Sequence, residues 1–148
     1  MKQLIGVILL LVMSACQPFN ESETQPPEVN LSTKERTAQT TLGSYCWHKT
    51  KHAAGCVDTV GPKNLVNEQQ PFQVKPHEKI TFTLSDGSLP EELDLIQYDE
   101  TTEDILSLEG LQMNAPAEKG YYIFSLELRW KENGGWNDAS YAFSLEVQ

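Results

Sequence analysis

Tyr122-Ile123-Phe124-Ser125-Leu126-Glu127-Leu128-Arg129-Trp130 puts a large apolar side chain at every second position. That is the period of a β-strand with one buried face. Tyr122, Phe124, Leu126, Leu128 and Trp130 share one side, and Ile123, Ser125, Glu127 and Arg129 share the other. A second run, Tyr141-Ala142-Phe143-Ser144-Leu145-Glu146-Val147, repeats the pattern with Tyr141, Phe143, Leu145 and Val147 on one face. Between the runs stands Asn133-Gly134-Gly135, whose residues suit a tight hairpin turn. The two runs therefore predict a long antiparallel hairpin, and its apolar face needs a second layer to cover it.

Working outward, Ile80, Phe82 and Leu84 alternate with Thr81 and Thr83. Shorter strands are expected at residues 43–47, 72–74, 93–98 and 105–108. Ser88-Leu89-Pro90-Glu91 carries a helix-start pattern. Period two resumes in Leu93-Asp94-Leu95-Ile96, which favours a strand there. Several short strands separated by turns predict an all-β, two-sheet sandwich over residues 41–148.

Ala115-Pro116-Ala117-Glu118-Lys119-Gly120-Tyr121-Tyr122 resembles the corner that leads into the penultimate core strand of immunoglobulin-like sandwiches. The resemblance implies that the Tyr122 hydroxyl ties the corner while its ring packs inward. A wider likeness runs from Gly43-Ser44-Tyr45-Cys46-Trp47 through Cys56-Val57-Asp58 and Pro76 to Gly120-Tyr121-Tyr122 and the terminal strand. Together these blocks look like small lipoproteins of Bacillus-type bacteria with an immunoglobulin-like domain. That family brings no activity with it, and His48 and His52 are not part of the likeness.

The N-terminus reads as a leader. Lys2 supplies a positive start, and Leu4 to Val12 form an uncharged run far short of the ~20 residues of a membrane-spanning helix. Val12-Met13-Ser14-Ala15-Cys16 resembles a bacterial lipobox, with Met13 where leucine is usual. The resemblance implies removal of residues 1–15 and a diacylglycerol thioether on Cys16. The chain is then expected on the extracytoplasmic face of the cell membrane, held through its lipid anchor. Residues 16–40 contain Pro18, Pro26, Pro27 and four glutamates among many polar residues. They read as a disordered tether with a coil span of roughly 25–30 Å.

The chain has three cysteines. With Cys16 lipidated, Cys46 and Cys56 remain as a pair ten residues apart, expected to form a disulfide outside the cytoplasm. Closing such a loop stabilises a fold by about 2.5–3 kcal/mol on the chain-entropy model. The same stretch contains Cys46-x-His48-x3-His52-x3-Cys56, the ligand types of zinc or copper, at a spacing that matches no standard finger. His48 and His52 are thus the candidate ligands of an alternative reading, a metal-binding envelope lipoprotein.

Composition narrows the partners. The chain carries 11 basic and 21 acidic residues, for a formal net charge of −10. From Thr41 onward there are 8 basic and 17 acidic side chains. Such a domain is repelled by phosphate backbones and anionic headgroups, so nucleic acid is not an expected partner. Glu91, Glu92, Asp94, Asp99, Glu100, Glu103 and Asp104 form an acidic run without the Asp-x-Asp-x-Asp-Gly calcium loop. No Gly-x-Ser-x-Gly elbow, His-Glu-x-x-His motif or phosphate-cradling glycine loop is present. Trp47 is expected to pack against the disulfide and Trp130 to face the core. Trp136, in a loop position, and Tyr121 are the candidates for gripping a sugar or peptide. The expectation is a non-enzymatic, cofactor-free binding or structural domain at the cell envelope, facing an unidentified envelope protein or ligand.

Overall fold

The computed structural model describes residues 25–50, 53–132 and 135–148. The chain forms strands β1 (Val29–Ser32), β2 (Thr37–Gln39), β3 (Thr41–Thr50) and β4 (Ala53–Val57), then helix α1 (Pro62–Val66). It continues through β5 (Phe72–Val74), β6 (Lys79–Leu84), β7 (Glu92–Tyr98) and β8 (Glu103–Leu106). β9 (Gln112–Asn114), β10 (Gly120–Glu132) and β11 (Gly135–Val147) complete it. The strands make two sheets, ordered β2-β1-β6-β9 and β4-β3-β11-β10-β7-β8, with β5 added to β11. This is an all-β, two-sheet sandwich.

The long hairpin forms as the sequence predicts. β10 and β11 pair without a break from Gly120↔Val147 to Glu132↔Gly135, closing around Asn133 and Gly134, which lie outside the described residues. Phe124, Leu126, Leu128, Trp130, Tyr141, Phe143, Leu145 and Val147 are all buried. Against them the second sheet sets Leu31, Ile80 and Phe82. Phe143 links the layers, edge-on to Phe82 at 5.5 Å and stacked on Phe124 at 5.2 Å.

The course from β5 to β11 is immunoglobulin-like. β6 and β9 pair in one sheet, β7, β10 and β11 in the other, and β5 runs parallel to β11. The corner before β10 is tied as the resemblance implies, with the Tyr122 hydroxyl donating to the Glu118 carbonyl at 2.9 Å. Two elements share the remaining edge of β11. β3 pairs antiparallel with Asp138, Ala139, Tyr141 and Ala142, and β5 pairs parallel with Leu145 to Val147.

The expected domain start at Thr41 is wrong. β1 lies inside the sandwich, paired with β6 from Val29↔Leu84 to Ser32↔Thr81 and with β2 on its other side. Val29 and Leu31 are each 1% exposed, and Pro26 and Pro27 are buried as well. The buried Tyr141 hydroxyl donates to the Pro27 carbonyl at 2.7 Å, which fixes this segment over the core. Four residues of strict alternation, Val29-Asn30-Leu31-Ser32, suffice for a strand although their neighbours are polar. The folded domain therefore includes the chain from Gln25 onward, and the tether expected over residues 16–40 is wrong for residues 25–40. Residues 1–24, including the leader and Cys16, lie outside the described residues.

Other differences are smaller. β8 begins two residues before the expected strand, β7 begins at Glu92, and residues 88–91 form no helix. β2, β4, β9 and α1 carry too short a pattern to be read in advance. Helix α1 packs on the outer face of the large sheet, against β3, β10 and β11. Small residues admit it: a Cβ at Gly43 would lie 2.5 Å from Ser140 Oγ and 3.4 Å from Leu65 Cδ1.

A chain beginning at Thr41 is expected to lose a large part of its stability. Burial of Val29 and Leu31 alone is worth about 3–6 kcal/mol, against the roughly 5–15 kcal/mol that holds a typical domain together. In urea the form beginning at Thr41 should unfold at a clearly lower midpoint than the form beginning at Gln25. Equal midpoints for the Thr41 and Gln25 forms would show that β1 is dispensable.

Candidate functional site

Cys46 and Cys56 sit directly opposite each other in the β3–β4 hairpin, with Cα atoms 4.1 Å apart, and are joined as a disulfide. Cys46 also faces Asp138 of β11, an exposed outer-face position. Trp47 is on the opposite side, because neighbouring strand residues alternate between faces. It packs with the core, its ring edge-on to Trp130 at 5.2 Å. The expected packing of Trp47 on the disulfide is thus replaced by a tryptophan pair. Trp130 faces inward as predicted, and its indole Nε1 donates to Ser88 Oγ at 3.1 Å.

His48 is exposed at a bulge in β3. The buried Asn137 Oδ1 accepts from its backbone N–H at 2.8 Å and lies 3.0 Å from its Nδ1. Asn137 in turn donates to Glu132 Oε2 at 3.2 Å. His52 lies outside the described residues. Among the described residues no group of three His, Cys, Asp or Glu side chains is placed to hold a metal ion. The acidic run is dispersed along β7, its turn and β8. Glu91 accepts from the Lys131 backbone N–H at 2.8 Å, and Glu92 pairs with Arg129 at 3.4 Å across two exposed side chains.

Tyr121 and Trp136 do not form one site. Tyr121 pairs with Glu146 and Trp136 with Lys131, so ten residues of β10 separate their positions. At the rise of a strand that is about 33 Å. Both are exposed, at opposite ends of the large sheet.

The structure adds a cleft that the sequence did not reveal. It lies between α1 and the outer face of the large sheet, with a volume of about 240 Å³, and is lined by Ser44, Thr59, Tyr98, Ser125, Glu127 and Ser140. Most of its hydroxyls are already engaged. Ser44 Oγ bonds Asp58 Oδ1 at 3.1 Å and accepts from the Thr59 N–H at 3.0 Å, and Ser140 Oγ donates to the Ser44 carbonyl at 3.0 Å. These bonds hold the segment before α1 to the sheet. A second, open groove of about 780 Å³ runs between β2 and β5, past Arg36, Ala38 and Phe72.

Glu127 is the unusual group of the cleft. Burial raises its carboxyl above the ordinary range; the Ser125 hydroxyl bond opposes this, Asp138 and Asp94 push it further up, and Arg129 pulls it down. Asp94 is its direct cross-strand neighbour, and like charges so placed destabilise a sheet. Tyr98, on the same face, is raised by burial and then by Glu103 and Glu127. The Ser125-x-Glu127 face was legible as polar, but α1, which buries it, had no signal in the sequence.

No protein-family model and no curated protein matches this chain.

A raised carboxyl binds its proton more tightly in the folded than in the unfolded chain. Glu127 therefore contributes stability at low pH that is lost as pH rises through its folded value. Glu127→Gln is expected to melt at a higher temperature than the unaltered protein at pH 7, with the difference disappearing near pH 4. Thermal melts at the two pH values check this, and a variant less stable at pH 7 would show that the ionised carboxylate is needed.

Proposed function

We propose that this chain is a lipoprotein of the cell envelope. Acyl chains on Cys16 hold it to the extracytoplasmic face of the membrane, and its immunoglobulin-like sandwich acts there as a non-enzymatic binding or structural domain. The observation that carries this reading is the division of the three cysteines. Two are joined to each other on the surface of the sandwich, a bond that persists in oxidising compartments. The third follows nine uncharged residues and the small pair Ser14-Ala15, the setting a lipid-modifying pathway requires.

Two acyl signals give stable anchoring where one gives a marginal hold. The net acidity of the domain favours a role away from nucleic acid. The likeness of Cys46-Trp47, Cys56-Val57-Asp58 and the terminal strand to Bacillus-type lipoproteins supports the same address.

Expressed in a lipoprotein-processing bacterium, the protein should fractionate with membranes and give a mature mass that lacks residues 1–15 and carries acyl groups on Cys16. Cys16→Ser should move it to the soluble fraction. Membrane association of that variant, or a mature protein that keeps the leader and has no acyl mass, contradicts the proposal.

A further inference from the structure

We infer that the end of the sandwich bearing Trp136 and Leu89 rests on the membrane that anchors the chain, with the Trp136 indole at the headgroup boundary. The inference rests on the lipid-anchor reading of Cys16, and it follows from where the chain enters the fold. Val29 pairs with Leu84, the last residue of β6. The chain therefore enters the small sheet at the end where β6 finishes. The connection through residues 85–91, the start of β7 opposite Arg129 and the tip of the β10–β11 hairpin lie at that same end.

Chain length then restricts the orientation. With Pro26 already buried, only ten residue steps separate it from Cys16. Fully extended they reach at most about 33–36 Å, and as a coil they span roughly 16–19 Å. The thirteen residues of β10 make the sandwich about 43 Å long. A coil of that span holds the incoming end to the bilayer and leaves the Tyr121 end facing away.

That membrane-facing end carries the apolar side chains a lipid interface accepts. Leu89 is 75% exposed and Trp136 is 42% exposed. Indole rings settle at the headgroup level, where one edge is apolar and the other wet. Two such contacts would not hold a free domain, but a short tether supplies an effective concentration on the order of millimolar. Glu28, Asp86, Glu91 and Glu132 lie at the same end and are exposed. These carboxylates disfavour an anionic surface, so a zwitterionic one is the surface that suits the contact.

The test uses the lipidated full chain on phosphatidylcholine vesicles containing a lipid spin-labelled near the headgroup. The label should quench on the order of one third of the tryptophan emission, one ring of three. Trp136→Phe should abolish the quenching and Leu89→Ser should reduce it, with all forms still floating with the vesicles. Flotation with no more quenching in the unaltered protein than in Trp136→Phe overturns the docking and leaves the anchor intact. A Cys16→Ser variant that floats and is quenched like the unaltered protein overturns the anchor and, with it, the tethered docking inferred from it. Absence of both flotation and quenching overturns the two together.

Discussion

The uninterrupted ladder between β10 and β11 is the constraint on which the rest of the molecule depends. Thirteen residue pairs in fixed register decide which face of each strand is buried, because a slip of one residue would turn every core side chain outward. Phe124, Leu126, Leu128 and Trp130 on one strand and Tyr141, Phe143, Leu145 and Val147 on the other then form one apolar surface. β7 takes its register from β10, and β3 and β5 divide the far edge of β11 between them. The small sheet exists to cover what this hairpin exposes.

Covering it draws in more of the N-terminal region than composition indicates. β1 contributes only four residues, yet Val29 and Leu31 are as deeply buried as the hairpin's own side chains. The Tyr141–Pro27 hydrogen bond carries the order upstream of the strand. This places the start of the folded domain at Gln25 or before it.

Most parts legible in the sequence share one property, an alternation long enough to exceed chance, although the three-residue β5 also forms at the expected residues 72–74. The β10 and β11 runs and β6 are of this kind, and each stands where it was expected; the Tyr122 corner was legible from its likeness to immunoglobulin-like sandwiches. The Cys46–Cys56 pairing was legible from parity of the cysteines. What escaped was short or depended on tertiary contact. β2 and β9 have three residues each, and α1 has five and owes its place to Gly43, Ser125 and Ala142 beneath it. Adjacency in sequence places Trp47 beside the disulfide, whereas adjacency along a strand sends two side chains to opposite faces. Tyr121 and Trp136 are candidate gripping aromatics only if they lie near each other, and the length of the hairpin separates them. Glu127 was visible as a charge on a strand, but its unusual setting arises from an element that no pattern announced.

Native-state hydrogen exchange of the backbone amides tests the primacy of the hairpin most directly. If β10 and β11 organise the fold, the amides of residues 122–130 and 139–147 exchange only through global unfolding, with protection equal to the full stability of the domain. The paired amides of β8, at the edge of the same sheet, should open at lower cost. Hairpin amides that exchange as readily as those of β8 would contradict the account.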